Sequence, residues 1–152
     1  MHEFRRGALT FEVIDQGPAD GPPVVLLHGF PQLNTSWNAV IERLAAQGYR
    51  CLAPNQRGYS PGARPAHRRD YVIDELVADV VALIDEAGLP KVHLVGHDLG
   101  AMVAWAMAAQ RPDRVATLSA LSVPHQAAFL KSMTTSRQGL VSWYMYAFQL
   151  PG

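Results

Sequence analysis

The sequence predicts an α/β protein, with a mostly parallel sheet and helices on both of its faces. Three features of the 152 residues lead there. Short β-rich apolar runs alternate with longer stretches of helical periodicity. The connections between them are brief, which implies parallel strands joined by right-handed crossovers. The run at 24–27, Val-Val-Leu-Leu, is continuously apolar, as in a strand buried on both faces.

Taken in order, residues 9–14 alternate apolar and polar and end at Asp15-Gln16-Gly17-Pro18, an antiparallel strand followed by a turn. The buried strand at 24–27 comes next. A helix is expected over 36–47, capped near Asn34 or Thr35 and stopped by Gly48. Residues 49–53 form the following strand, ended by Pro54, and 55–69 is a loop rich in glycine, proline and arginine. Ile73, Leu76, Val77, Val80, Ile84 and Ala87 then mark one helical stripe, with Asp74, Glu75, Asp79 and Asp85 facing away. A third apolar strand at 92–95, a helix over 99–110 and a fourth strand over 115–123 complete the pattern. From Pro124 the rhythm changes: residues 126–133 suit a helix, 134–139 a polar loop, and 142–150 an aromatic element.

Composition is that of an ordinary globular domain, 49% hydrophobic and 17% charged. Thirteen basic residues balance thirteen acidic ones, so no charge excess steers the chain to nucleic acid or to an anionic membrane surface. The basic spot at His67, Arg68 and Arg69 reads as a solvated loop face. No apolar stretch approaches the ~20 residues that span a bilayer, and the N-terminal residues lack the apolar segment of a signal peptide. The single cysteine, Cys51, lies in an apolar stretch and reads as a core residue. A cytoplasmic protein is expected.

Two motifs carry chemistry. Gly96-His97-Asp98-Leu99-Gly100 follows a predicted strand and opens a predicted helix, the context of a nucleophile elbow, with aspartate where serine is usual. Such a turn forces its middle residue into an uncommon backbone conformation, and the flanking glycines Gly96 and Gly100 let strand and helix approach. The side chain of Asp98 then stands at a helix N-terminus, where free N–H groups favour negative charge. The bland alternative is an aspartate that only caps its helix. The second motif, His28-Gly29-Phe30-Pro31, directly follows the buried strand. A loop there supplies one backbone N–H of an oxyanion hole and the residue after the nucleophile the other, here Phe30 and Leu99. His28 has the chemical type of a base, but its place in the turn favours a structural role.

With these motifs the chain resembles the N-terminal part of the aspartate-nucleophile α/β-hydrolases, the epoxide hydrolases and haloalkane dehalogenases. Gln56-Arg57-Gly58-Tyr59-Ser60 matches as well. The resemblance implies an α/β-hydrolase fold with residues 1–124 as the N-terminal part of the core and 125–152 as the start of a helical cap. The chain thus holds the first half of the sheet and continues in a parent protein. It implies attack by Asp98 on an sp³ carbon to form an alkyl ester, then hydrolysis by water activated by a histidine and an acid, with no metal or cofactor. His28, Gly29, Pro31, Gly96, His97 and Gly100 would be structural parts of the loops, with a cis peptide before Pro31.

The same resemblance bears on the electrophile. Dehalogenases resemble one another in placing tryptophan after the nucleophile, and often asparagine in the loop. Here those positions are Leu99 and Phe30. Epoxide hydrolases place a cap tyrosine shortly before a segment like Phe148-Gln149-Leu150-Pro151-Gly152, which aligns Tyr144 as the acid that protonates the opened epoxide, with Tyr146 as competitor. The partner expected is a small apolar epoxide, together with the C-terminal half or a second copy of the chain. The implied catalytic histidine, acid and second cap tyrosine have no counterpart here. Other readings remain: a haloalkane dehalogenase, an esterase-like hydrolase, or a catalytically incomplete fragment or binding remnant.

Overall fold

Six strands form one sheet in the order β1-β2-β4-β3-β5-β6. They are β1 (Glu3–Arg6), β2 (Leu9–Gln16), β3 (Pro23–Leu27), β4 (Arg50–Pro54), β5 (Val92–His97) and β6 (Val115–Leu121). The structure is a computed structural model, and it describes residues 1–143. Tyr144, Tyr146 and the Phe148-Gln149-Leu150-Pro151-Gly152 segment lie outside the described residues. β1 and β2 are antiparallel, and β3 to β6 run parallel. The helices are α1 (Asn38–Ala46), α2 (Ile73–Glu86), α3 (Leu99–Gln110), α4 (Gln126–Thr135) and α5 (Gln138–Val141).

After β3 the chain moves to one side to make β4, then returns to the other side of β3 to make β5. The helices that follow β3 and β5 lie on opposite faces of the sheet, α1 on one and α3 on the other, and it is at such a switch point that open α/β sheets place their ligand crevice. Leu27 pairs with Gly96 in register, so the turns after those residues meet.

Helices cover both faces. On one, Ile41 of α1 packs with Val24, Leu26, Cys51 and Ala53, against Trp37 and Leu44. On the other, Val77, Leu83 and Ile84 of α2 and Val103 and Met107 of α3 pack over Val25, Leu27, Leu52 and Leu94. The alternating side chains of β3 serve both cores, which is why its sequence is apolar throughout. Cys51 is fully buried, and burial pushes its thiol up.

Several local readings change. β1 carries only one core residue, Phe4, and forms because β2 offers a partner: Phe4 sits opposite Phe11, their rings stacked 4.7 Å apart. The expected cap at Asn34 or Thr35 is instead a 3₁₀ turn, Asn34–Trp37, preceding α1. Asn34 is buried, accepts no capping role, and donates Nδ2 to the Ala53 carbonyl at 3.1 Å. The polar stretch at 134–139 is partly helical, shared between α4 and α5. β6 stops at Leu121, two residues early, and has β5 as its one partner among the described residues.

Asp79 is the largest departure. Its place in the sequence puts it on the polar face of α2, yet it is buried. Arg57, from the loop after β4, reaches it with two parallel hydrogen bonds of 2.7 Å. Arg6 adds a third at 3.0 Å while also bonding Glu75. Arg57 donates further to the Asp70 carbonyl at 2.8 Å, so one guanidinium ties the 55–71 loop to α2. Removing one partner of a buried pair strands the other charge. Asp79→Ala is therefore expected to lower the unfolding free energy by ~3–5 kcal/mol, read from urea denaturation. A loss below ~1 kcal/mol would mean that water already solvates Arg57.

Candidate active site

The candidate site is built by two turns. Asp98 stands between β5 and α3 with φ 53° and ψ −120°, a backbone region that L-residues rarely adopt. The turn is tight because both glycines are in close contact. A Cβ on Gly100 would run into the Leu27 carbonyl oxygen, and one on Gly96 into the Gly100 carbonyl oxygen. Helix α3 thus begins almost against β3, and its first turn is anchored by the Asp98 carbonyl, which accepts from Ala101 and Met102 N–H at 2.9 and 3.2 Å.

This geometry turns the Asp98 side chain away from its own helix. It makes no capping hydrogen bond to α3. Its Oδ1 accepts instead from the backbone N–H of Phe30, 68 residues earlier, at 2.9 Å. Gly29 allows that approach, since a Cβ there would lie 2.5 Å from the Asp98 Cβ. The peptide between Phe30 and Pro31 is cis. Leu99 is the first residue of α3, and its N–H donates no hydrogen bond to the carboxylate. Phe30, Leu99 and Met102 flank Asp98 with exposed apolar side chains, Phe30 most of all.

His28 is fully buried and bonds only the loops: its Nδ1 lies 3.0 Å from the Gly29 carbonyl, and its Nε2 accepts from Gln56 N–H at 3.1 Å. His97 is half-buried, and its Nδ1 lies 3.2 Å from Gln32 Oε1. None of the six histidines hydrogen-bonds Asp98. Two residues near the site went unassigned in the sequence. Gln32 follows the His28–Pro31 loop directly, and only its position could have marked it. Tyr59 stands edge-on to His28, with ring centroids 4.7 Å apart. Burial first, and the Asp98 charge second, push its phenol up. It lies within the Gln56–Ser60 motif, which was its available signal. Tyr144 lies outside the described residues. Among the described residues, no group of three His, Cys, Asp or Glu side chains is placed to hold a metal, and no helix is long and apolar enough to cross a membrane.

Residues 22–149 match the alpha/beta hydrolase fold family. The chain belongs to the α/β-hydrolase fold family. Among its relatives, epoxide hydrolase A of Mycobacterium tuberculosis (strain ATCC 25618 / H37Rv) is 43% identical over 147 residues, covering 95% of this chain and 46% of that protein. Epoxide hydrolase 3 of Siraitia grosvenorii is 43% identical over 137 residues, covering 87% of the chain and 43% of the relative. Among solved structures, epoxide hydrolase A from Mycobacterium thermoresistibile superimposes with a TM-score of 0.77 at 40% identity, over 80% of this chain and 38% of that one. An epoxide hydrolase from hot-environment metagenomes reaches a TM-score of 0.88 at 34% identity, over 99% of this chain and 52% of that one. The α/β-hydrolase chain thus spans about half the length of the relatives it matches.

Burial pushes the His28 imidazole below its ordinary value, although the Gly29 carbonyl works the other way. The unfolded chain then takes up a proton that the folded chain refuses, so stability is lost as pH falls below the ordinary imidazole value of ~6.5. Glu75, held low by its hydrogen bond to Arg6, adds its own loss only below the ordinary carboxylate range, ~4. Urea midpoints measured between pH 7 and 5 should decline in the unsubstituted chain and decline less in His28→Gln. Equal slopes would remove His28 as the source.

Proposed function

We propose that this α/β-hydrolase chain carries the nucleophile half of an epoxide hydrolase, with Asp98 as nucleophile and residues 125–152 as the start of a helical cap. The observation that carries the reading is the hydrogen bond from Phe30 N–H to an Asp98 side chain that does not cap its helix. It makes the two carboxylate oxygens different. Oδ2 accepts no hydrogen bond among the described residues and is free to attack. Oδ1 is already seated on a donor.

In the first step Oδ2 attacks an epoxide carbon, the carbon–oxygen bond of the ring breaks, and the Tyr144 phenol protonates the departing alkoxide. The product is an alkyl ester whose carbonyl oxygen is Oδ1. In the second step a base supplied by the rest of the parent protein takes a proton from water as it adds to that carbonyl. The negative charge that develops falls on Oδ1, opposite Phe30 N–H, with Leu99 N–H, unbonded to the free carboxylate, as second donor. Collapse releases the diol and restores the carboxylate, and the proton taken from water returns to the Tyr144 phenolate. The relatives named as epoxide hydrolases support this choice of electrophile, as do leucine at position 99 and phenylalanine at 30. The substrate is a small apolar epoxide, in keeping with the exposed apolar side chains flanking Asp98. The boundary at 124–125 is supported by His125, whose Nδ1 caps α4 by accepting from Ala127 N–H, and by Trp105, whose Nε1 donates to the Val123 carbonyl. A buried lone thiol suits the reducing cytoplasm.

With no histidine on Asp98 the ester should accumulate. Incubated with a styrene-oxide-type epoxide, the chain is expected to gain one epoxide mass, mapped to Asp98 by peptide mass spectrometry and absent from Asp98→Asn. Halide release from a haloalkane without an epoxide adduct would overturn the choice of electrophile.

Tyr144→Phe keeps the ring and removes the phenolic proton, and should slow adduct formation ~10²–10⁴-fold. An unchanged rate would remove Tyr144 as the acid while leaving Asp98 as the nucleophile.

A further inference from the structure

We propose that Gln56 is a positioning residue for the Phe30 N–H donor, acting through His28. The inference rests on the reading of that N–H as an oxyanion donor, and its evidence is a chain of hydrogen bonds whose directions are chemically forced. The backbone N–H of Gln56 can only donate, so His28 Nε2, 3.1 Å away, carries a lone pair. In a neutral imidazole the proton is then on Nδ1. The Gly29 carbonyl, 3.0 Å from Nδ1, can only accept, which agrees with that tautomer. The same carbonyl accepts a second bond from Gln32 N–H at 2.9 Å.

Gly29 and Phe30 share one planar trans peptide, in which C=O and N–H point in opposite directions. Two donors holding the carbonyl on one side therefore aim the Phe30 N–H to the other side, where Asp98 Oδ1 receives it at 2.9 Å. The side chain of Gln56 completes the clamp. Its Nε2 donates to the His28 carbonyl at 2.6 Å, so both ends of His28 are held from the β4 loop. Gln56 is itself fixed, because its carbonyl accepts from Tyr59 and Ser60 N–H and its neighbour Arg57 is locked onto Asp79. Burial of His28 favours the neutral ring, in line with the lone pair that Gln56 N–H requires on Nε2.

The test uses the isotopically labelled 152-residue chain and needs no turnover. Two-bond nitrogen–proton correlation of the His28 ring should show the proton on Nδ1. In Gln56→Met, which keeps the backbone donor and the side-chain bulk, amide exchange at Phe30 should speed up ~10-fold, the size of one hydrogen bond's net contribution. Amides of α2 and β5 should keep their rates, which a general loss of stability would not allow. Unchanged exchange at Phe30 in Gln56→Met overturns the proposal, as does a proton on Nε2. If Gln56→Met fails to fold, Gln56→Glu, which keeps the length of the side chain and loses the Nε2 donor, is read the same way. A missing epoxide adduct on Asp98 would instead strike the proposed chemistry and leave these readouts untouched.

Discussion

Leu27 and Gly96 are register partners on adjacent parallel strands, and the candidate site follows from what that pairing demands of the next few residues. Two chains leaving neighbouring strand ends would normally be kept apart by side chains. Here Gly29, Gly96 and Gly100 remove them, and α3 starts within contact of the β3 carbonyls. The backbone of Asp98 has to enter a positive-φ conformation to make the turn. That conformation throws the carboxylate across to the other loop rather than back along its helix. Without the close approach the aspartate would be an ordinary cap.

Much of this was legible in the sequence because it is local. The parallel strands declare themselves through runs such as Val24-Val25-Leu26-Leu27, and the elbow through the spacing of Gly96 and Gly100 around Asp98. The pairing of the two motifs required only that β3 and β5 be neighbours. What escaped depends on partners far along the chain. Asp79 looks like a solvent-facing residue of α2 until Arg57, 22 residues earlier, is brought against it. Asn34 has the type and place of a helix cap, but its amide is drawn to the Ala53 carbonyl. β1 has one apolar residue in four, too little to register as a strand without Phe11 opposite.

The polar residues of the loop after β4 work as one unit. Arg57 is spent on α2, Gln56 on His28, and Ser60 on the β2–β4 junction through Glu12 N–H and the Asn55 carbonyl. A segment that reads as irregular is therefore held at both ends and in the middle. Loops fixed this way can carry a site as securely as strands do, since their backbone groups have defined partners.

The donor that meets Asp98 belongs to the backbone of residue 30, whereas the side chain of that residue stands mostly in solvent, 67% exposed. The two halves of one amino acid are thus assigned to separate tasks. Position 30 can change its side chain, and with it the shape of the entrance, while the hydrogen bond persists. Proline alone is forbidden there, since it has no N–H to give. A lineage built on this arrangement can reshape the surface beside Asp98 through a residue that holds the carboxylate and yet is free to vary.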